Sequence, residues 1–478
     1  MNWAFWDCHL TKEELALFPV VIALAAAAHL SPVLHSGLGT ILTYALPAIA
    51  YLTPTTGFFF IACSQFVPFP EGSPHNPAQA GVLVWLPIVL LRYRRVKLDG
   101  VWRLWPVVPW FLLLLVLTQQ PIFLPDSDYF KALVYSVIAC QLANEARGRF
   151  LKCLLALCFG ALLVMTAYWA SQLGLPVEIN DWGNAREGIA RMGGVRADSV
   201  LVWPALLVGI AGLLGTQIAF ASRRSPAPSP KWLTYGSLVL SLASMPPLVS
   251  TMCHGAIAGL VLMVMALTWA GWMAGKGGAF KTPRFQLLIR WVGGGVVAVL
   301  ILFACDGFQM RTKLTTLDDY YSGVAAESGL AASRTGVWRD SINTILTYPL
   351  FGITVTGDQE EITSGFAASE GYYLSHNVFL DYGRYSGIPG MLLVIFFFFY
   401  PAYKMWHSAD RIRFLPFLLA HFAMLIFWMS LSFQFYKTFW ALWMLMAMVP
   451  TNAVSRVPAL RHLPSRVWRA GIHRVFPG

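Results

Sequence analysis

Charge is what this chain has least of. Only 12% of its 478 residues are Asp, Glu, Lys or Arg, against roughly 25% in an ordinary soluble domain. A water-soluble globule of this size needs a polar shell, and 34 basic with 23 acidic side chains cannot supply one. Seven cysteines show neither paired nor metal-ligand spacing and mostly sit in apolar runs, so they read as small buried hydrophobes. P-loop, HExxH, GxSxG and strand-to-helix GxGxxG patterns are missing, which removes the usual nucleotide and hydrolase readings. Neither an internal repeat nor a low-complexity tract is visible. The short, mixed-charge Met1–Glu14 stretch does not read as a cleavable signal.

What is abundant is apolar surface. Hydrophobic residues make up 57% and mean hydropathy is +0.59. The composition excludes a disordered or collagen-like chain, and it is too apolar for an outer-membrane barrel. The expectation is an all-α polytopic membrane protein. Spans are expected near 13–30, 37–53, 55–68, 81–94, 104–120, 131–146, 151–172, 199–221, 232–249, 255–275, 288–305, 387–404, 414–431 and 437–453. The second and third are short, so about 12–14 transmembrane helices are expected. Residues 1–305 hold about eleven spans, 306–386 one long loop, 387–453 the C-terminal spans and 454–478 a basic tail.

The formal charge of +11 follows from sidedness rather than from nucleic-acid binding. Basic loops at Arg92–Arg103, Arg147–Lys152, Arg223–Lys231, Lys276–Arg290 and Lys404–Arg413, with the tail after Arg456, all fall on one face, taken as the cytoplasm. The tail reads as resting on anionic membrane lipid. The opposite face receives 306–386, with candidate helices at Arg334–Leu346 and Tyr372–Tyr385. A loop of that length is a functional candidate.

Arginines on the outer face need a reason, because sidedness disfavours them there. They include Arg191, Arg196, Arg334, Arg339 and Arg384. Binding an anionic group is one reason, since the guanidinium fork suits phosphate oxygens. Arg191 and Arg196 flank two glycines just before a span, at headgroup depth. A local Arg196–Asp198 pair with a snorkelling Arg191 is the plain alternative. His376 could take a proton from an acceptor hydroxyl near neutral pH, or serve a helix end. If helical, His376, Phe379, Leu380 and Gly383 would share a face. Arg334 and Arg339 could instead pair with Glu327 or Asp340. His254 sits at a tight outer turn, as an ionisable residue or as a cap. Asp126-Ser127-Asp128 resembles a metal–sugar-nucleotide motif, but it falls on the face where nucleotide sugars are absent. No metal or other cofactor is expected.

Several blocks occur in a recognisable order. They are Arg191-xx-Gly194 before a span, a short outer turn followed by Gly255-Ala256, Arg334-xxx-Trp338 with Pro349-Leu350-Phe351-Gly352, and His376-Asn377-xx-Leu380 leading to Gly387-Ile388-Pro389-Gly390. Over roughly residues 185–400 the chain resembles the bacterial O-antigen ligase and O-antigen polymerase family. The resemblance implies a GT-C-like fold in the bacterial inner membrane with its active site facing the periplasm. It implies a metal-independent, inverting glycosyltransferase acting on an undecaprenyl-diphosphate-linked glycan. The acceptor would be lipid A–core in a ligase or another repeat-unit glycan in a polymerase. A chain-length regulator is a candidate partner, and nucleic acid is not.

Carried over residue by residue, His376 matches the family's proposed base and Arg334 a loop arginine engaging diphosphate or acceptor. Arg191 and Arg196 would bind the diphosphate, with His254, Asn377, Arg339 and Arg384 supporting. The family shows Ser-Arg at the short outer turn, where this chain has Cys253-His254. Arg191, Arg196 or a protonated His254 would replace that charge, and the departure tilts the reading toward polymerase. Other readings are an O-linked oligosaccharyltransferase acting on protein, a lipid-linked-sugar transporter or flippase, and a membrane acyltransferase. A transporter should show midplane charges and repeat halves.

Overall fold

The computed structural model describes residues 9–28, 37–64, 75, 77–97, 128–146, 149–172, 239, 304–305, 334–352, 375, 377–407, seven positions between 414 and 429, and 437–454. All regular structure among these residues is helical. The expected spans at 104–120, 199–221 and 255–275, and all but residue 239 of 232–249, lie outside the described residues. So do nearly all of 288–305, most of 414–431 and the basic tail.

The helices in chain order are α1 (Lys12–Ala28), α2 (Gly37–Ala50), α3 (Pro54–Cys63), α4 (Pro77–Tyr93), α5 (Asp128–Glu145), α6 (Phe150–Gln172), α7 (Arg334–Thr347), α8 (Val378–Trp406) and α9 (Lys437–Val454). Local chemistry sets several starts. Thr11 and Glu14 form a capping box before α1. The Thr11 amide donates to Glu14 Oε2 at 2.7 Å, and the Glu14 amide donates to Thr11 Oγ1 at 3.2 Å. Thr53 caps α3, and Pro54 follows where a missing N–H costs nothing. Asn377 caps α8, accepting from the amides of Phe379 and Leu380 at 3.1 and 3.4 Å.

The core forms around α3, whose residues Thr55 to Cys63 are all buried. It packs on α6 and α5 through glycines. A Cβ on Gly160 of α6 would lie 2.3 Å from the Phe59 carbonyl oxygen, and one on Gly57 would lie 2.6 Å from Leu142 of α5. Such small residues let apolar helices approach without a hydrophobic driving force between them. Cys63, Cys140, Cys153 and Cys158 are buried free thiols, as the apolar-run reading expects. Cys305 departs from it, being exposed.

From Gly387 to Tyr403 α8 is apolar on every side. Phe397, Phe398, Ala402 and Met405 face inward, whereas Leu392, Phe396, Phe399, Tyr403 and Trp406 are exposed along the other face. A helix apolar all round suits lipid on its outer side. Its segment Ser386–Trp406 is, among the described residues, the one helix long and apolar enough to cross a membrane. Leu38–Ala50, Pro54–Cys63, Pro77–Tyr93, Phe150–Val164 and Thr438–Met448 are apolar but shorter.

Pro401 cannot donate an N–H to the carbonyl four residues back, which is Phe397's. The Trp443 indole of α9 takes that oxygen at 2.9 Å. One residue on, the ring of His421 donates to the Phe398 carbonyl at 2.6 Å and stacks on the Phe398 ring. Carbonyls of α8 in this apolar setting are thus met by side chains from neighbouring segments.

Charges gather where α1, α3 and α6 begin and α4 and α5 end. Buried Glu14 accepts from Lys152 and, at 2.5 Å, from Thr55. Arg92 pairs with Glu13, and Lys97 with Glu145 at 2.9 Å. Glu13, Glu14, Thr55, Arg92, Glu145 and Lys152 line a cavity of about 830 Å³. The basic stretches beginning at Arg92 and ending at Lys152, expected on one face, meet here at one end of the helices.

Candidate functional site

Two blocks singled out in the sequence, 334–352 and 375–390, are brought together by the fold. α7 begins at Arg334, as expected, and turns at Tyr348–Gly352, where Gly352 takes φ +71°. The turn then seats on α8. Ile345 of α7 lies against Gly383, where a Cβ would come within 2.6 Å of its Cδ1. One helical turn on, Gly387 kinks α8 with φ +71° and ψ −171°, a conformation essentially reserved for glycine. A Cβ there would lie 2.6 Å from both the Pro349 oxygen and the Leu350 carbonyl carbon. The Ile388 amide donates to the Pro349 carbonyl at 2.7 Å. The Gly-Ile-Pro-Gly block is therefore the seat of the Pro-Leu-Phe-Gly turn.

The helix expected at Tyr372–Tyr385 starts only at Val378. The physical reason is Asn377, whose extended backbone and capping side chain end the preceding segment. Position 376 therefore precedes the helix, and the expected shared face begins at Phe379. Beyond Tyr385 the helix continues through the kink to Trp406.

A polar network lies at this helix start. The Trp338 indole of α7 donates to the Ser375 carbonyl at 3.0 Å. Buried Asp381, in the first turn of α8, accepts at one oxygen from the Ser375 amide at 2.7 Å and the Ser375 hydroxyl at 2.6 Å. The Asn377 amide donates to Ser375 Oγ at 3.2 Å. A carboxylate in the first turn also meets the positive end of the helix dipole. Tyr382 is buried beside it. Burial, and secondarily the Asp381 charge, push its phenol well above its ordinary range, so it remains a neutral hydroxyl.

Of the site residues expected from sequence, Asn377 is the cap, Arg339 is exposed on α7 and Arg384 is half-buried on α8. Arg334 opens α7, and its backbone alone is described. His376, Arg191, Arg196 and His254 lie outside the described residues, as do Asp126 and Ser127. Sequence reasoning missed Trp338, Ser375 and Asp381 as a linked group. The available signal was an acidic residue four places after an Asn cap, together with an indole that needs a partner.

A helix with its turn, seated on the kinked head of a span-length apolar helix, marks an all-α arrangement among the described residues. Residues 232–395 match the family model described as O-antigen ligase, so this segment of the chain is similar to that family. Both packed blocks fall inside the match. No curated protein matches the chain.

Proposed function

We propose that the chain transfers a glycan from an undecaprenyl-diphosphate carrier to an acceptor hydroxyl at the periplasmic face of the bacterial inner membrane, in O-antigen and lipopolysaccharide assembly. The observation that carries this reading is the family match over 232–395, which contains the arginine-led helix, the helix packed against it and the His-Asn motif of the sequence.

In this mechanism the acceptor oxygen attacks the anomeric carbon of the donor sugar. The bond from that carbon to the diphosphate oxygen breaks, with inversion. Undecaprenyl diphosphate leaves with the electron pair, and the acceptor's proton passes to His376. Arg191, Arg196 and Arg334 bind the diphosphate and stabilise the charge that develops as it departs. A diphosphate is already a good leaving group, so the step needs no general acid. The description of the matched family supports the ligase reaction, for which lipid A–core would be the acceptor. Polymerisation, with another repeat unit as acceptor, is the second reading and rests on Cys253-His254 at the outer turn.

The test is full-length protein in proteoliposomes with an undecaprenyl-diphosphate-linked glycan, with and without lipid A–core. A capped core marks a ligase, and a ladder without core marks a polymerase. His376→Ala and Arg334→Ala should each lower turnover by about 100-fold or more. Glycan of normal chain length and core attachment in cells carrying either variant overturns the assignment.

A further inference from the structure

We propose that Trp338, Ser375 and Asp381 form a positioning device that holds the chain on both sides of residue 376 and ties it to the helix opened by Arg334. The inference rests on the catalytic reading above and adds to it residues that hold the reacting groups in place without touching substrate.

The hydrogen bonds make the case. Ser375 and Asp381 are each 1% exposed. The Ser375 amide and hydroxyl both end on one Asp381 oxygen, and its carbonyl ends on Trp338. On the other side of 376, the Asn377 amide ends on Ser375 Oγ. The Asn377 carbonyl accepts from the Asp381 amide at 2.9 Å, and its side chain caps α8. Residues 375 and 377 thus have their backbone amides and carbonyls committed. Burying a carboxylate is costly unless donors reach it, and two reach this one from a single residue. That arrangement fixes the backbone more tightly than apolar packing would.

Trp338 adds the second connection. It stands four residues after Arg334 on α7, and residues so spaced share a helix face. Its bond to Ser375 sets the register between the start of α7 and the segment before 376. In the proposed mechanism one end of that register engages the donor and the other the acceptor. A shift of about 1 Å in such a relationship can cost about 100-fold in rate.

The experiment uses full-length protein in nanodiscs with the lipid-linked glycan and acceptor. It compares Asp381→Leu, Asp381→Asn, Trp338→Phe, the Trp338→Phe/Asp381→Leu pair and His376→Ala, each checked for folding by thermal unfolding. Asp381→Leu should lower kcat by about 100-fold with the donor KM unchanged. Asp381→Asn keeps an acceptor oxygen and should recover most of that loss. The double variant should be little slower than the worse single one, because both act through Ser375. Hydrogen exchange over residues 375–382 should quicken in Asp381→Leu and Trp338→Phe but not in His376→Ala. Wild-type turnover in folded Asp381→Leu beside an inactive His376→Ala overturns the positioning role alone. Full turnover in His376→Ala overturns the catalytic reading, and this one with it. Unchanged exchange in Asp381→Leu overturns the positioning role whatever the rates.

Discussion

The amide of Ile388 donates to the carbonyl of Pro349 at 2.7 Å, and this bond joins the turn after α7 to the kink of α8. It exists because Gly387 adopts a backbone conformation closed to other residues, which aims the next amide sideways out of the helix.

Gly387→Ala should therefore both strain the kink and push the turn away, since its Cβ would meet Pro349 and Leu350. A loss of about 1–3 kcal/mol is expected from the backbone alone. Thermal unfolding of purified protein checks the size, and hydrogen exchange at residues 345–352 should quicken.

Asn377→Ala removes the acceptor for two amides at the head of α8. The expected loss is about 1 kcal/mol. Asn377→Asp, which keeps a capping oxygen, should retain most of the stability, so the two melting temperatures separate capping from a general effect of substitution.

Lys152→Met strands the buried Glu14 carboxylate, whose partners are Lys152, Thr55 and the Thr11 amide. Removing one member of a buried pair costs about 3–5 kcal/mol. Glu14→Gln placed on the same background should recover much of it, because no unpaired charge then remains. Denaturant unfolding of the two variants decides, and equal stability of both would contradict the account.

Trp443→Phe keeps the ring in contact with Phe397 but removes the indole donor. The Phe397 carbonyl, already without a helical partner because of Pro401, would be left unsatisfied at a cost of about 1–3 kcal/mol. Pro401→Ala in the same chain supplies the missing N–H and should offset the loss, which a thermal shift would show.

Much of this was legible in one dimension because its causes are local. The run from Gly387 to Trp406 is apolar whatever surrounds it, so its helix follows from composition alone. α7 was readable from its spacing and from the Pro349 and Gly352 that end it. The start of α8 was misplaced by six residues because apolar periodicity runs back through Tyr372 and Tyr373, whereas the boundary is set by one amide side chain, Asn377. The arginines expected on the outer face could be picked out by sidedness, but their mutual placement could not, since charge bias carries no distances.

The sequence by itself determined the class: too few charges for a water-soluble shell, apolar runs of helical length, and the motif order of a family. Tertiary structure alone decided which blocks meet. Trp338 and Ser375 are 37 residues apart, as are Leu350 and Gly387, and no local rule relates them. Their contact arises because a buried carbonyl must find a donor, and because only a residue without a Cβ lets the turn's backbone come so close.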